Sequence, residues 1–180
     1  MNTPNKLTCL RMILVIPFVI FMLAGRCEGI SKWLALAIFI VAALTDTLDG
    51  YLARKYNLIT DFGKFMDPLA DKLLVCSALI CLVDIGRFVT WGCLIIIARE
   101  FIISGFRLVA SDNGIVIAAS WWGKIKTIVQ MVMIILLIIN FTNPVLYVIT
   151  QISVYLSIIL TVVSLVDYIM KNRQVITSYK

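Results

Sequence analysis

Six long apolar segments dominate this 180-residue chain and restrict what it can fold into. Each segment is near the ~20 residues that an α-helix needs to cross the hydrocarbon core of a bilayer. A hydrophobic content of 62% and a mean hydropathy of +1.02 are too apolar for a soluble domain of this size. The sequence therefore predicts an all-α integral membrane bundle of six transmembrane helices, forming one domain over residues 1–180. The six spans are predicted at about Leu10–Ala24, Trp33–Tyr51, Phe65–Val83, Thr90–Ala110, Lys124–Phe141 and Val145–Ile169.

The distribution of basic residues predicts the orientation of the bundle. Six spans put both termini on one side of the membrane. With that side inside, twelve Lys and Arg residues lie on or near the cytoplasmic face, and Arg26, Lys32 and Arg87 lie outside. Cytoplasmic loops of membrane proteins carry such an excess of positive charge. We therefore predict that both termini are cytoplasmic, and that the net charge of +6 meets an anionic leaflet rather than nucleic acid.

The chain contains no histidine, and this absence restricts its possible chemistry. It excludes Ser-His-Asp and Cys-His arrangements and any transfer through a phosphohistidine, so a general base has to be another titratable group such as a carboxylate. The five cysteines show no C-x-x-C or zinc-type spacing and lie mostly in apolar runs. They are predicted to be small buried hydrophobic residues of a reduced protein.

Four aspartates occur at helical spacings beside apolar segments. Asp46 and Asp49 are three residues apart and are predicted to close the second helix, while Asp67 and Asp71 are four apart and are predicted to open the third. Each pair therefore faces one way from its helix. Close carboxylates repel one another by about 4 kcal/mol per pair at an effective dielectric near 20. Hard divalent cations such as Mg²⁺ or Mn²⁺ suit oxygen-only ligands, so the pattern indicates a metal site.

An ordinary structural explanation of these acids is also possible. Helix N-termini favour negative charge, so Asp67 alone could be a first-turn acid, and Pro68 suits a first helical turn. On that interpretation the aspartates are solvated ends of spans. It accounts neither for the fourfold clustering nor for the small residues Gly50 and Ala53 beside them.

The pattern D-x-x-D-G-x-x-A-R-x8-G-x3-D-x3-D, which runs from Asp46 to Asp71, resembles the signature of the CDP-alcohol phosphatidyltransferases at every fixed position. Members of that family are small six-helix membrane proteins. The resemblance implies that the four aspartates hold two divalent cations, Mg²⁺ or Mn²⁺, with Asp46 and Asp67 shared by both and Asp71 acting as general base. It also implies a homodimer in a bacterial inner membrane, with the active site facing the cytoplasm. Residues implied in binding the CDP-linked donor are Gly50, Ala53, Arg54, Thr60, Asn5 and Thr8.

A second cluster, basic rather than acidic, concerns the acceptor alcohol. Arg99 and Arg107 are eight residues apart, about two helical turns or ~12 Å along one face. Lys124 and Lys126 open the fifth span, where cations oppose the helix dipole. These four residues are candidates to bind an acceptor phosphate. Two structural explanations stay open: an Arg99–Glu100 ion pair, and a positive-inside role for the lysines.

The segments around these residues are similar to those of phosphatidylglycerophosphate synthases, a subfamily that uses CDP-diacylglycerol and sn-glycerol 3-phosphate. The resemblance therefore implies these two substrates, with CMP released. Inositol phosphate, inositol or serine as acceptor would keep the same aspartates. A divalent-cation transporter would also place acids in membrane spans, but its acids would lie nearer the bilayer midplane and often on repeated broken helices. A non-enzymatic membrane scaffold would not need the acid cluster.

Overall fold

The described part of the chain consists of helices joined by short connections. The computed structural model describes the backbone of residues 3–55, 61–112 and 120–172, and the side chains of residues 8–24, 26–45, 66, 68–110 and 120–172. Within those ranges a short 3-10 turn at Ala24–Arg26 accompanies six α-helices, and no strand is formed. The helices are α1 (Thr3–Leu23), α2 (Gly29–Lys55), α3 (Asp61–Asp84), α4 (Thr90–Asp112), α5 (Trp121–Ile139) and α6 (Pro144–Lys171).

Each helix coincides with one of the six predicted apolar segments, so the all-α prediction is confirmed. Among the described residues, α5 and α6 are long and apolar enough to cross a membrane, as judged by length and composition. Shorter apolar stretches occur in α1 and α2, at Thr8–Leu23 and Gly29–Thr45.

The chain divides into two compact units, Met1–Phe88 and Val89–Lys180. In the first unit, α1 packs against both α2 and α3, which also contact each other. The buried residues of α1 recur every three or four positions, which is the period of one helix face: Thr8, Arg11, Val15, Phe18 and Met22. Phe18 contacts Phe39 of α2, with ring centroids 5.8 Å apart. The first unit is therefore organised around α1.

The α1–α2 connection is tied to the loop that follows α3. Arg87 forms a salt bridge with the carboxylate of Glu28 and donates to the backbone carbonyl of Cys27. Burial raises the pKa of the Cys27 thiol, although Arg87 opposes the effect, so this cysteine stays protonated. Cys81 and Cys93 are also buried, which confirms the cysteine prediction for three of the five positions.

In the second unit, α6 packs against α4 and α5. The buried face of α6 carries hydroxyl groups as well as apolar side chains. Thr150, Thr161 and Ser164 each donate to a backbone carbonyl three or four residues earlier, which satisfies hydroxyls that are buried in an apolar helix. Because these side chains are small and internally hydrogen-bonded, α6 can present polar atoms to its neighbours at little cost.

Candidate active site

Both aspartate pairs lie inside helices rather than at their ends. α2 continues to Lys55, six residues beyond Asp49, and α3 begins at Asp61, six residues before Asp67. The prediction that these acids close α2 and open α3 is therefore wrong. Leu52, Ala53, Arg54 and Lys55 favour helix and carry α2 past Gly50. An acid such as Asp61 at the start of α3 is favoured by the helix dipole.

The earlier start of α3 also affects where Pro68 lies in the helix. Pro68 lies inside α3, whereas the ordinary structural explanation of the aspartates would place it in the first turn. Since proline has no amide N–H, the helical bond that would reach the carbonyl four residues earlier cannot form, and the helix is weakened beside Asp67. Asp67 is the seventh residue of α3, so the first-turn explanation of this acid no longer holds.

The two pairs are placed symmetrically about the connection between α2 and α3. Six residues separate Asp49 from the end of α2 and Asp67 from the start of α3, or ~9 Å along each axis at about 1.5 Å per residue. Only residues 56–60 join the two helices, and α2 contacts α3. Helices joined by so short a connection run antiparallel. This register is expected to bring the two pairs to the same height on adjacent helices.

The side chains of Asp46, Asp49 and Asp67 lie outside the described residues, and that of Asp71 is half-buried. Among the side chains that the structure does describe, no three His, Cys, Asp or Glu residues come together as metal ligands. The donor set of the four aspartates consists of carboxylate oxygens alone, which fits Mg²⁺ or Mn²⁺ and not zinc. Metal binding by these residues stays a prediction.

Most of the predicted donor-binding residues can be located only by backbone. Gly50, Ala53 and Arg54 follow Asp49 on α2, and Asn5 lies in the first turns of α1, but their side chains are outside the described set. Thr60 lies outside the described residues altogether. Thr8 is fully buried on α1. The donor contacts therefore stay predictions.

Arg11, one of the twelve basic residues predicted on or near the cytoplasmic face, is a buried cation. It is 1% exposed and lies one turn from Thr8 on the buried face of α1, which packs against the two aspartate-bearing helices. The burial of Arg11 could have been predicted from the sequence, because Arg11 falls within the first apolar segment and keeps the period of its buried face.

The basic residues of the second unit separate into a buried pair and an exposed pair. Arg99 and Lys126 are 7% and 1% exposed, whereas Arg107 and Lys124 are exposed. Lys126 forms a salt bridge with Oε1 of Glu100, and Nη1 of Arg99 lies 3.4 Å from the same oxygen. The Arg99–Glu100 ion pair, one of the two structural explanations given for the basic cluster, is therefore present. It includes a second cation, because the buried ammonium group of Lys126 pairs with the same carboxylate.

The guanidinium of Arg99 also reaches the other two helices of this unit. Its Nε donates to Oγ of Ser164 on α6 at 3.2 Å. A Cβ built at Gly123, in the first turn of α5, would lie 3.4 Å from Nη2 of Arg99. The start of α5 is capped by Ser120, whose Oγ accepts from the amide of Gly123 at 3.1 Å. Arg99 thus lies beside the positive end of α5. The helix dipole disfavours a cation there, and a nearby anion offsets this effect.

The exposed pair adds two further cations to the same two helices, α4 and α5. Arg107 follows Arg99 by eight residues on α4, and Nζ of Lys124 on α5 lies 5.9 Å from the ring centroid of Trp121. Among these described side chains, four cations stand against the single carboxylate of Glu100. A region of this kind is suited to a phosphate dianion, because phosphate oxygens accept charge-assisted hydrogen bonds from Arg and Lys.

Comparison with known proteins identifies the family. The sequence model of the CDP-alcohol phosphatidyltransferases matches residues 1–163, which include all four aspartates and all four basic residues. The chain belongs to the CDP-alcohol phosphatidyltransferase family. It is therefore a transferase of that family, and the match runs through both compact units.

Curated relatives are similar over nearly the whole chain. A CDP-diacylglycerol–glycerol-3-phosphate 3-phosphatidyltransferase of Bacillus subtilis is 42% identical, covering 95% of each chain. A protein of the same name from Haemophilus influenzae is 40% identical over 93% of this chain and 91% of its own. A probable phosphatidylglycerophosphate synthase of Mycobacterium tuberculosis is 41% identical over 93% of this chain and 80% of its own.

Proposed function

We propose that this enzyme transfers the phosphatidyl group of CDP-diacylglycerol to sn-glycerol 3-phosphate, giving phosphatidylglycerophosphate and CMP. The observation that carries the proposal is the aspartate signature of the family, which lies on the contacting helices α2 and α3, six residues from the end of one and the start of the other. The acceptor follows from relatives at 40–42% identity whose names specify glycerol 3-phosphate. The positive region around Arg99 and Lys126 agrees with a phosphorylated acceptor.

In the proposed reaction, the acceptor hydroxyl oxygen attacks the phosphorus that carries the diacylglycerol. The bond from that phosphorus to the CMP oxygen breaks, and CMP leaves. Asp71 takes the proton of the attacking hydroxyl, a role for which a carboxylate is available in a chain without histidine. Asp46, Asp49, Asp67 and Asp71 would hold two divalent cations. When bound, these ions supply charge stabilisation to the attacking and leaving oxygens.

We further propose that all six helices span a bacterial inner membrane, with both termini and the active site at the cytoplasmic face and a second copy forming a homodimer. Large apolar side chains are exposed along every helix, which suits contact with lipid. Trp33, Trp91, Trp121 and Trp122 lie near helix starts with at least 42% of each side chain exposed. Tryptophan is enriched at the level of lipid headgroups.

Headgroup incorporation by the purified protein tests this function. CDP-diacylglycerol and Mg²⁺ or Mn²⁺ would be supplied with radiolabelled glycerol 3-phosphate, inositol 1-phosphate, inositol or serine. We expect selective use of glycerol 3-phosphate with stoichiometric CMP release, and loss of both on addition of EDTA. Use of another alcohol would overturn the acceptor assignment, and absence of turnover in folded protein would overturn the reaction.

Arg107→Ala should raise the KM for glycerol 3-phosphate at least tenfold and leave the KM for CDP-diacylglycerol within about twofold. The expected size follows from the loss of one hydrogen bond to a charged group, about 1.5–3 kcal/mol. Lys171→Ala is a suitable control, because Lys171 is an exposed cation of the same unit and pairs with Asp167. Equal weakening of both substrates would contradict a role confined to the acceptor.

A further inference from the structure

The carboxylate of Glu100 is the point at which two buried cations from different helices meet. Lys126 of α5 and Arg99 of α4 both contact its Oε1, although Lys126 is 26 residues away in sequence. The side chain of Glu100 is itself 18% exposed, against 1% for Lys126. The carboxylate therefore lies between a buried ammonium group and the surface of the second unit.

Arg99 and Lys126 would not stay together without such an anion. Two like charges close to one oxygen repel each other, and burial strengthens that repulsion because little water screens it. The start of α5 adds further positive potential beside Nη2 of Arg99. Glu100 offsets both effects, while the bond to Ser164 fixes the other edge of the guanidinium. Its position thus determines where both cations lie.

We propose that Glu100 is a positioning residue for acceptor binding, which holds Lys126 and Arg99 in place to receive the phosphate of the acceptor. This inference rests on the proposed function, since it takes the acceptor to be a phosphate monoester. Glu100 does not contact the reacting atoms. It reduces the charge of the cluster without cancelling it, so the site remains net positive and selects an anionic acceptor over a neutral one.

A purely structural role for Glu100 makes a different prediction. If the three charges only join α4 to α5, their loss lowers the amount of folded enzyme and decreases the rate with every substrate alike. If Glu100 positions the phosphate-binding cations, its loss changes the KM for the acceptor and leaves the folded enzyme's kcat and donor KM nearly unchanged. The two roles can therefore be separated by kinetics on protein of verified fold.

The test compares Glu100→Gln, Glu100→Asp and the matched control Asp167→Asn. Asp167 is 17% exposed and also pairs with a lysine of the second unit, but that lysine is 63% exposed. We expect Glu100→Gln to raise the KM for glycerol 3-phosphate at least tenfold, with kcat and the donor KM within about threefold. Glu100→Asp keeps the charge. The logarithm of its KM for glycerol 3-phosphate should therefore rise by at most half as much as that of Glu100→Gln. Asp167→Asn should resemble the wild type.

An unchanged acceptor KM in folded Glu100→Gln enzyme would overturn the inference, as would an equal loss for donor and acceptor. If Glu100→Gln does not fold, Glu100→Asp decides, and a raised acceptor KM with an unchanged donor KM is expected. Wild-type turnover tests the proposed function separately. Should the wild type use inositol 1-phosphate instead, the same comparison on that substrate still tests Glu100.

If the wild type turns over no acceptor, thermal unfolding in the presence of inorganic phosphate provides the test. Phosphate should then raise the midpoint temperature of unfolding by several degrees for the wild type and for Asp167→Asn. The increase for Glu100→Gln should be less than half as large. Equal stabilisation of all three proteins, or stabilisation of none, would overturn the inference.

Discussion

Asp67→Asn is expected to reduce turnover by at least about a thousandfold. Asparagine keeps the size of the side chain and removes the charge that a shared metal ligand supplies. Metal ions contribute several kcal/mol of transition-state stabilisation in such sites, and each ~1.4 kcal/mol corresponds to a factor of ten in rate. Asp46→Asn should have a similar effect, because the proposed roles of Asp46 and Asp67 are equivalent. The measurement is CMP release at saturating substrates over a range of Mg²⁺ and Mn²⁺ concentrations.

A matched control for this substitution exists on the same helix. Asp84 is the last residue of α3, is exposed, and lies outside the aspartate signature. Asp84→Asn should therefore retain the wild-type rate. If Asp67→Asn or Asp46→Asn also kept near-normal turnover, the assignment of that residue as a shared ligand would be wrong.

Asp71→Asn is expected to decrease kcat by about 10²–10⁴-fold, the usual contribution of a positioned general base. Binding of CDP-diacylglycerol should weaken much less, because three aspartates remain for the metal ions. The experiment measures kcat together with the equilibrium binding of radiolabelled donor to the variant. The half-buried position of Asp71 is compatible with access by a hydroxyl group.

Two outcomes would count against the base assignment. A proportionate loss of donor binding and turnover would make Asp71 a metal ligand without a separate proton-transfer role. Recovery of the rate at high Mg²⁺ would indicate the same, since added metal can restore occupancy but cannot replace a base.

The six helices could be predicted from the sequence because the signal for each is local. An apolar run of about 20 residues forms a helix in lipid whatever its neighbours are, since its backbone groups must be satisfied internally. The helix ends could not be predicted equally well. α2 and α3 run past the apolar segments through polar residues. Hydropathy therefore placed the aspartates near the ends of helices that in fact extend four residues beyond the predicted ends, to Lys55 and Asp61.

The candidate acceptor region shows the limit of local information more directly. Spacing on one helix led to the expectation that Arg99 and Arg107 share a face, yet Arg99 is buried and Arg107 is exposed. Eight residues rotate a helix by about 80° beyond two full turns at 3.6 residues per turn, enough to turn the second arginine away from the buried side. The partnership of Lys126 with Glu100 has no signature in either segment alone.

The sequence by itself determined the helical class, the family and the pairing of the aspartates, because each depends on residues close together in the chain. Only the tertiary structure decided that Arg11 and Lys126 are buried and that Glu100 joins Arg99 to Lys126. The physical reason is that the burial of a charge and the choice of its partner depend on which helices pack together. Contacts between α4, α5 and α6 bring together residues up to 65 positions apart, a distance over which no local pattern persists.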